Sequence, residues 1–242
     1  MPIEVRLTTG RSTGRQHWIG GRSRPRFVDR RFLHTLAAAF VAWWAFLAIN
    51  PQDRRDWWLE NSLVYFIVIV LLLTYRKYPL SNLSYVLIAI YLGLHEVGAH
   101  YSYEDVPLGR WLQNAFNLER NDFDRIVHFS FGLLMTYPFR DAFLMTSRTT
   151  GFWSYFFPAN IIMSLSAIYE IIEAYVAMTV HPGLGTAFLG MQGDPWDSQR
   201  DMTAALAGTV TCMLIAYLVN EMKRRRRVPQ KERVMPVAEV KT

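Results

Sequence analysis

Ten ionisable side chains of the kinds that bind metals or move protons crowd the ends of apolar segments: His95, Glu96, His100, Asp124, His128, Glu170, Glu173, Asp194, Asp197 and Asp201. Neutral imidazole nitrogen and carboxylate oxygen are ligands that zinc, manganese and iron accept. Ionisable groups at membrane depth are costly unless paired, wet or metal-bound, so a convergent set of them is read as a site.

Each string also has a plainer explanation. Asp124 and His128 are four apart and share a helical face, where a carboxylate can orient an imidazole; a helix capped by Asn121 accounts for Asp124 but not for the deeper His128. Glu96 and His100 share a face in the same way, with His95 deeper still, whereas a His at a helix end can simply favour the dipole. The interval of five between the two histidines is not the zincin spacing of four. Glu170 and Glu173, beside Tyr169, are two carboxylates one turn apart in an apolar run, and they repel unless a proton or a cation intervenes. In Gly193-Asp194-Pro195-Trp196-Asp197-Ser198-Gln199-Arg200-Asp201, capping explains Asp194, with Pro195 at the first helical position and Asp197 at the third. It does not explain Asp201, a full turn inside on the face of Asp197.

These strings are positioned by apolar runs long enough to cross a hydrocarbon core of roughly 30 Å. The runs lie near Phe32 to Asn50, Leu59 to Tyr75, Leu83 to Tyr101, Ile126 to Thr146, Phe152 to Met178 and Met202 to Glu221. The expectation is an all-α, polytopic helical membrane protein with about six transmembrane helices. Residues 1–30 read as a flexible basic cytoplasmic arm, 31–222 as the membrane domain and 223–242 as a basic cytoplasmic tail. Arginines fill the first arm and Lys223 to Arg227 open the tail, so Lys/Arg counting places both termini inside. Helices three and five then end outside with their acids, and helices four and six begin outside with theirs. All four clusters meet one membrane face.

The net charge of +6 sits in these arms, which points to lipid headgroups and not to nucleic acid. Cys212, the only cysteine, excludes an intrachain disulfide and a thiolate metal cluster. Trp43, Trp44, Trp57, Trp58, Trp111, Trp153 and Trp196 fall near span ends, as interfacial belts do. Two outer connections, Ser102 to Arg125 and Thr179 to Arg200, are longer than a bundle needs and show no evident secondary structure. Leu184, Phe188, Leu189 and Met191 in the second favour folding onto the bundle mouth.

Asp124-Arg125-Ile126-Val127-His128-Phe129, then Tyr169-Glu170 with an acid at 173, then Asp201 followed by Gly208, resembles the VanZ-like membrane proteins over the C-terminal half. Two positions depart from that pattern: Ala205 where an Asn often follows the aspartate, and Glu173 where Gln is common. With His95, Gly98-Ala99-His100-Tyr101 and Gly193-Asp194-Pro195-Trp196-Asp197 added, residues 35 to 220 resemble the YjdF-type bacterial inner-membrane family. That resemblance implies a multi-pass protein of the bacterial inner membrane and assigns no reaction.

The leading expectation is a membrane-embedded, metal-dependent hydrolase or transferase acting on an envelope lipid. His95, His100, His128, Asp197 and Asp201 would hold zinc, manganese or iron, with Asp124 behind His128. Glu170 and Glu173 are the acid–base candidates, and Glu96, Asp194, Tyr169 and Trp196 stand close by. A proton- or cation-coupled transporter would spread acids through the membrane, whereas these crowd one side. A non-catalytic, partner-binding protein would use them as an ordered polar network.

Overall fold

The computed structural model describes residues 30–147, 149, 151–180 and 192–227. Most of the basic arm, the tail from residue 228 and the stretch 181–191, with Gly183, Gly185, Gly190 and the four apolar residues singled out above, lie outside the described residues.

Among the described residues the chain is all helix and contains no strand. The helices are α1 (Arg30–Leu47), α2 (Arg54–Thr74), α3 (Asn82–His100), α4 (Pro107–Phe116), α5 (Phe123–Ser130), α6 (Thr136–Thr146), α7 (Trp153–Thr179) and α8 (Asp197–Arg227), with a π-helical segment, Phe131–Met135, joining α5 to α6. Four of them, α2, α3, α7 and α8, are long and apolar enough to cross a membrane, and α1 is a shorter apolar helix. The fourth predicted span is the unbroken rod α5–π–α6.

Local chemistry sets the helix starts. Asp53 accepts the N–H groups of Arg55 and Asp56 ahead of α2, and Ser81 accepts that of Ser84 ahead of α3. Pro107 opens α4, where a missing N–H costs nothing, and Asn117 in the left-handed region closes it. The connection Ser102 to Arg125 is therefore not bare loop. Its helix turns Leu108, Trp111 and Phe116 outward, all at least half exposed, as a helix lying at a lipid interface does. Asn121 ties α4 to α5: its side chain donates to the Glu104 and Val106 carbonyls and accepts from the Phe123 N–H. A Cβ on Gly109 would overlap that side chain.

Before α8 the chain makes a turn in which Asp194 accepts the Trp196 N–H, and the helix begins only at Asp197. The expected pairing of Asp194 as cap with Pro195 as first residue is thus displaced by two positions. At its other end α8 runs on to Arg227, since basic residues suit a helix C-terminus.

The bundle centres on α8, which packs on α5, the π segment and α7, while α1 and α2 pack on α3. Val64, Ile88, Leu92, Val127, Met135 and Ile162 form the apolar core. The closest crossing is glycine to backbone. A Cβ on Gly132 would overlap the Ala205 carbonyl, and one on Gly208 would overlap the Phe129 carbonyl. Small residues let helices approach this way where lipid offers no hydrophobic drive for association. Four residues before Gly132 stands His128; four before Ala205 stands Asp201. The crossing thereby sets the distance between these two side chains.

Of the tryptophans, Trp43, Trp58, Trp111, Trp153 and Trp196 are exposed, as belt rings should be. Trp57 is buried, with its ring centroid 5.7 Å from that of Trp44, whose indole N–H donates to Asn61 Oδ1 at 2.7 Å. This pair belongs to an interior network, because Asn61 gives the indole a partner that lipid would not.

Candidate metal centre

The last turn of α5, the second half of α7 and the start of α8 bring His128, Glu170 and Asp201 together. Each offers a ligand atom within 4.8 Å of the others, and His128 Nε2 lies 3.7 Å from Glu170 Oε1. Glu170 and Asp201 are 8% and 4% exposed, and among the described residues Glu170 Oε1 and Asp201 Oδ1 have no hydrogen-bond partner. A buried carboxylate oxygen left unmatched is costly, and a bound cation removes that cost. The π segment begins three residues after His128; such widened turns occur often at functional sites.

In a second set, Asp124, Asp197 and Asp201, the ligand atoms likewise lie within 4.8 Å of one another. The buried Arg120 guanidinium bonds both Asp124 and Asp197. Outside it, Arg125 pairs with Asp122 and Asp194 at 2.6 Å each, and Arg200 reaches Asp194 at 2.7 Å. Asp194 thus holds the rim together and Trp196 faces outward, 62% exposed. Arginine suits this task because it stays charged and its planar fork matches carboxylates.

His95 and His100 do not join the centre. His95 Nε2–H donates to the Glu60 carbonyl at 3.1 Å, which leaves Nδ1 to accept from Tyr103 Oη–H at 2.6 Å. Burial pushes the Tyr103 phenol well above its usual range, so it stays a donor. His100 Nδ1–H donates to the Leu47 carbonyl at 2.7 Å. Glu96 is fully buried against Asn61, and Tyr169 Oη–H donates to Glu60 Oε2 at 3.2 Å. Glu173 is half-buried one turn beyond Glu170.

A second polar network, Asp56, Glu60, Asn61, His95, Glu96 and Tyr103, therefore adjoins the first through Tyr169, whose ring meets that of His128 edge-on at 6.2 Å. Sequence reasoning passed over Asp56 and Glu60 as well as Arg120. The signal for the acids was present: alternation puts the start of the second helix at the same membrane face, and the two acids are four apart there. Arg120 carried none, being one of several loop cations.

Residues 32–222 match the model of a family described as predicted membrane protein (DUF2238). The chain belongs to that family. It is also 34% identical over 190 residues to inner membrane protein YjdF of Escherichia coli (strain K12), an alignment covering 78% of this chain and 90% of that protein. No solved structure matches it. As a DUF2238 protein the chain is a multi-pass inner-membrane protein, and the YjdF-type resemblance of its motifs is a family relationship.

Proposed function

We propose that this DUF2238 protein is a membrane-embedded metal-dependent hydrolase or transferase acting on an envelope lipid. The observation that carries the reading is the His128, Glu170 and Asp201 set with its two unmatched, buried carboxylate oxygens. Three protein ligands and an open position are the arrangement of catalytic zinc sites, and such an ion supplies a water nucleophile at neutral pH. His95 and His100 drop out of the ligand set, since both ring nitrogens of His95 are taken by Glu60 and Tyr103 and His100 is turned to the Leu47 carbonyl by its Nδ1. Asp124 and Asp197 hold Arg120 beside the ion. Glu173, one turn along α7, is the carboxylate left to take a proton.

The arginine-rich arm and tail support an outer-face location for this end of the bundle, with both termini inside. The outward apolar face of α4 supports a lipid substrate, since it sets the connection leading to the centre into the interface. The apolar core stands against a through-path for ions.

The partner-binding reading has one observation in its favour: Arg120, Arg125 and Arg200 neutralise Asp122, Asp124, Asp194 and Asp197 among themselves. It leaves Glu170 Oε1 and Asp201 Oδ1 without a role.

The test is turnover. Protein reconstituted in vesicles of bacterial envelope lipids, charged in turn with zinc, manganese or iron, is followed by mass spectrometry of the lipids. Product formation that a chelator stops and added metal restores is the expected result. Unchanged lipids with folded, metal-loaded protein would leave the partner-binding reading in its place.

A further inference from the structure

Asp201 belongs to two ligand sets at once. His128, Glu170 and Asp201 form one; Asp124, Asp197 and Asp201 form the other, and in each the ligand atoms lie within 4.8 Å of one another. A carboxylate shared in this way is the geometry of a two-ion centre, in which the ions stand about 3.5–4 Å apart. Asp201 is 4% exposed and its Oδ1 has no hydrogen-bond partner among the described residues.

The second position, however, is crossed by Arg120. Its Nη1 bonds Asp197, its Nη2 bonds Asp124 and its Nε lies 3.5 Å from Asp122 Oδ1, with the side chain only 6% exposed. A guanidinium does not give up its proton at any accessible pH. Moving it aside for an ion would strip a buried charge of its partners, the costly half of breaking a buried pair. Arg125 pairs closely with Asp122 and Asp194 on the outer flank and reaches Asp197 only at 3.7 Å, whereas Arg120 bonds Asp124 and Asp197 directly.

We propose that Arg120 is a built-in second cation: it fills the second position of a centre otherwise laid out for two ions, and so limits the protein to one divalent ion per chain. Removing it opens a site on Asp124, Asp197 and Asp201. The proposal rests on the reading of His128, Glu170 and Asp201 as a metal site.

The test uses the full chain in detergent with Mn2+ as the sole probe. Bound manganese per chain at saturation is measured by elemental analysis, and the electron paramagnetic resonance spectrum separates an isolated ion from an exchange-coupled pair. The wild type and Arg120→Lys are expected to hold one isolated ion, and Arg120→Gln and Arg120→Ala a coupled pair. Two ions in the wild type, or one in the folded neutral variants, would overturn the proposal. Should the neutral variants unfold without metal, Mn2+ present throughout purification is expected to recover them, because the ion replaces the lost charge; failure of that rescue counts equally against it. No manganese in the wild type would remove the metal reading itself, and the role of Arg120 with it.

Discussion

His128 Nε2 and Glu170 Oε1 stand 3.7 Å apart, beyond hydrogen-bonding distance and close to the spacing of two ligands on one ion. Tetrahedral zinc with bonds of about 2.1 Å separates its ligands by about 3.4 Å. The two side chains come from helices that also meet α8, so the pair reports on the packing of three elements at once.

The two polar networks separate under mutation. His95→Ala and His100→Ala are expected to retain the metal that His128→Ala loses, because both ring nitrogens of His95 are spent on Glu60 and Tyr103 and His100 is anchored by Nδ1 to the Leu47 carbonyl, away from His128, Glu170 and Asp201. Tyr103→Phe should cost about 1–3 kcal/mol, the price of leaving a buried acceptor unmatched. Thermal unfolding in detergent and metal content, measured on the same samples, check both statements. Metal loss in His95→Ala with the fold intact would contradict the assignment.

Gly132 in the π segment and Gly208 in α8 hold the rod that includes α5 at backbone contact with α8. Adding a methyl group at either meets a carbonyl, so Gly132→Ala and Gly208→Ala should each destabilise by about 1–3 kcal/mol or force the helices apart. Separation also moves His128 from Asp201. Lowered metal affinity is therefore the expected companion of lowered melting temperature, whereas Gly151→Ala, at a turn where an added Cβ meets nothing within 4 Å, should leave metal affinity unchanged.

Asp105 carries a pH dependence. Hydrogen bonds from Gln52 and Arg110 hold its carboxyl below the ordinary value of 3.8, joining the first connection to α4. A depressed acid stabilises the fold above its unfolded pKa, and that stabilisation is lost as pH falls through the lower folded one. Wild type should therefore exceed Asp105→Asn in thermal stability at neutral pH, with the difference shrinking below pH 3.8. A difference constant with pH would show that the carboxyl charge plays no part.

The legible features were those that a single helix encodes. Hydropathic runs gave the long helices, and intervals of four put Asp124 with His128 and Glu96 with His100 on shared helical faces, although Asp124 bonds Arg120 and Glu96 meets Asn61 instead of the expected histidine. Alternation across the membrane brought the acids of α5, α7 and α8 to one end, which is why Glu170 and Asp201 were expected near His128. What went unread depends on side-chain direction across helices. His95 and His100 have suitable types and depth, but their ring nitrogens point to α2, to Tyr103 and to the end of α1. Arg120 looked like a loop charge because nothing in its neighbourhood announces the long-range bond to Asp197. Pro107 could have announced α4 as a first-position residue; the short helix behind it was hidden by a stretch with few core-facing residues.

The measurement closest to the central claim is elemental analysis of detergent-purified protein beside a variant carrying His128→Ala and Asp201→Ala, both checked for folding by gel filtration. Near-stoichiometric zinc, manganese or iron in the wild type and its loss in the variant is the predicted result. Equal, negligible metal in two well-folded samples, persisting after metal is added back, would contradict the account.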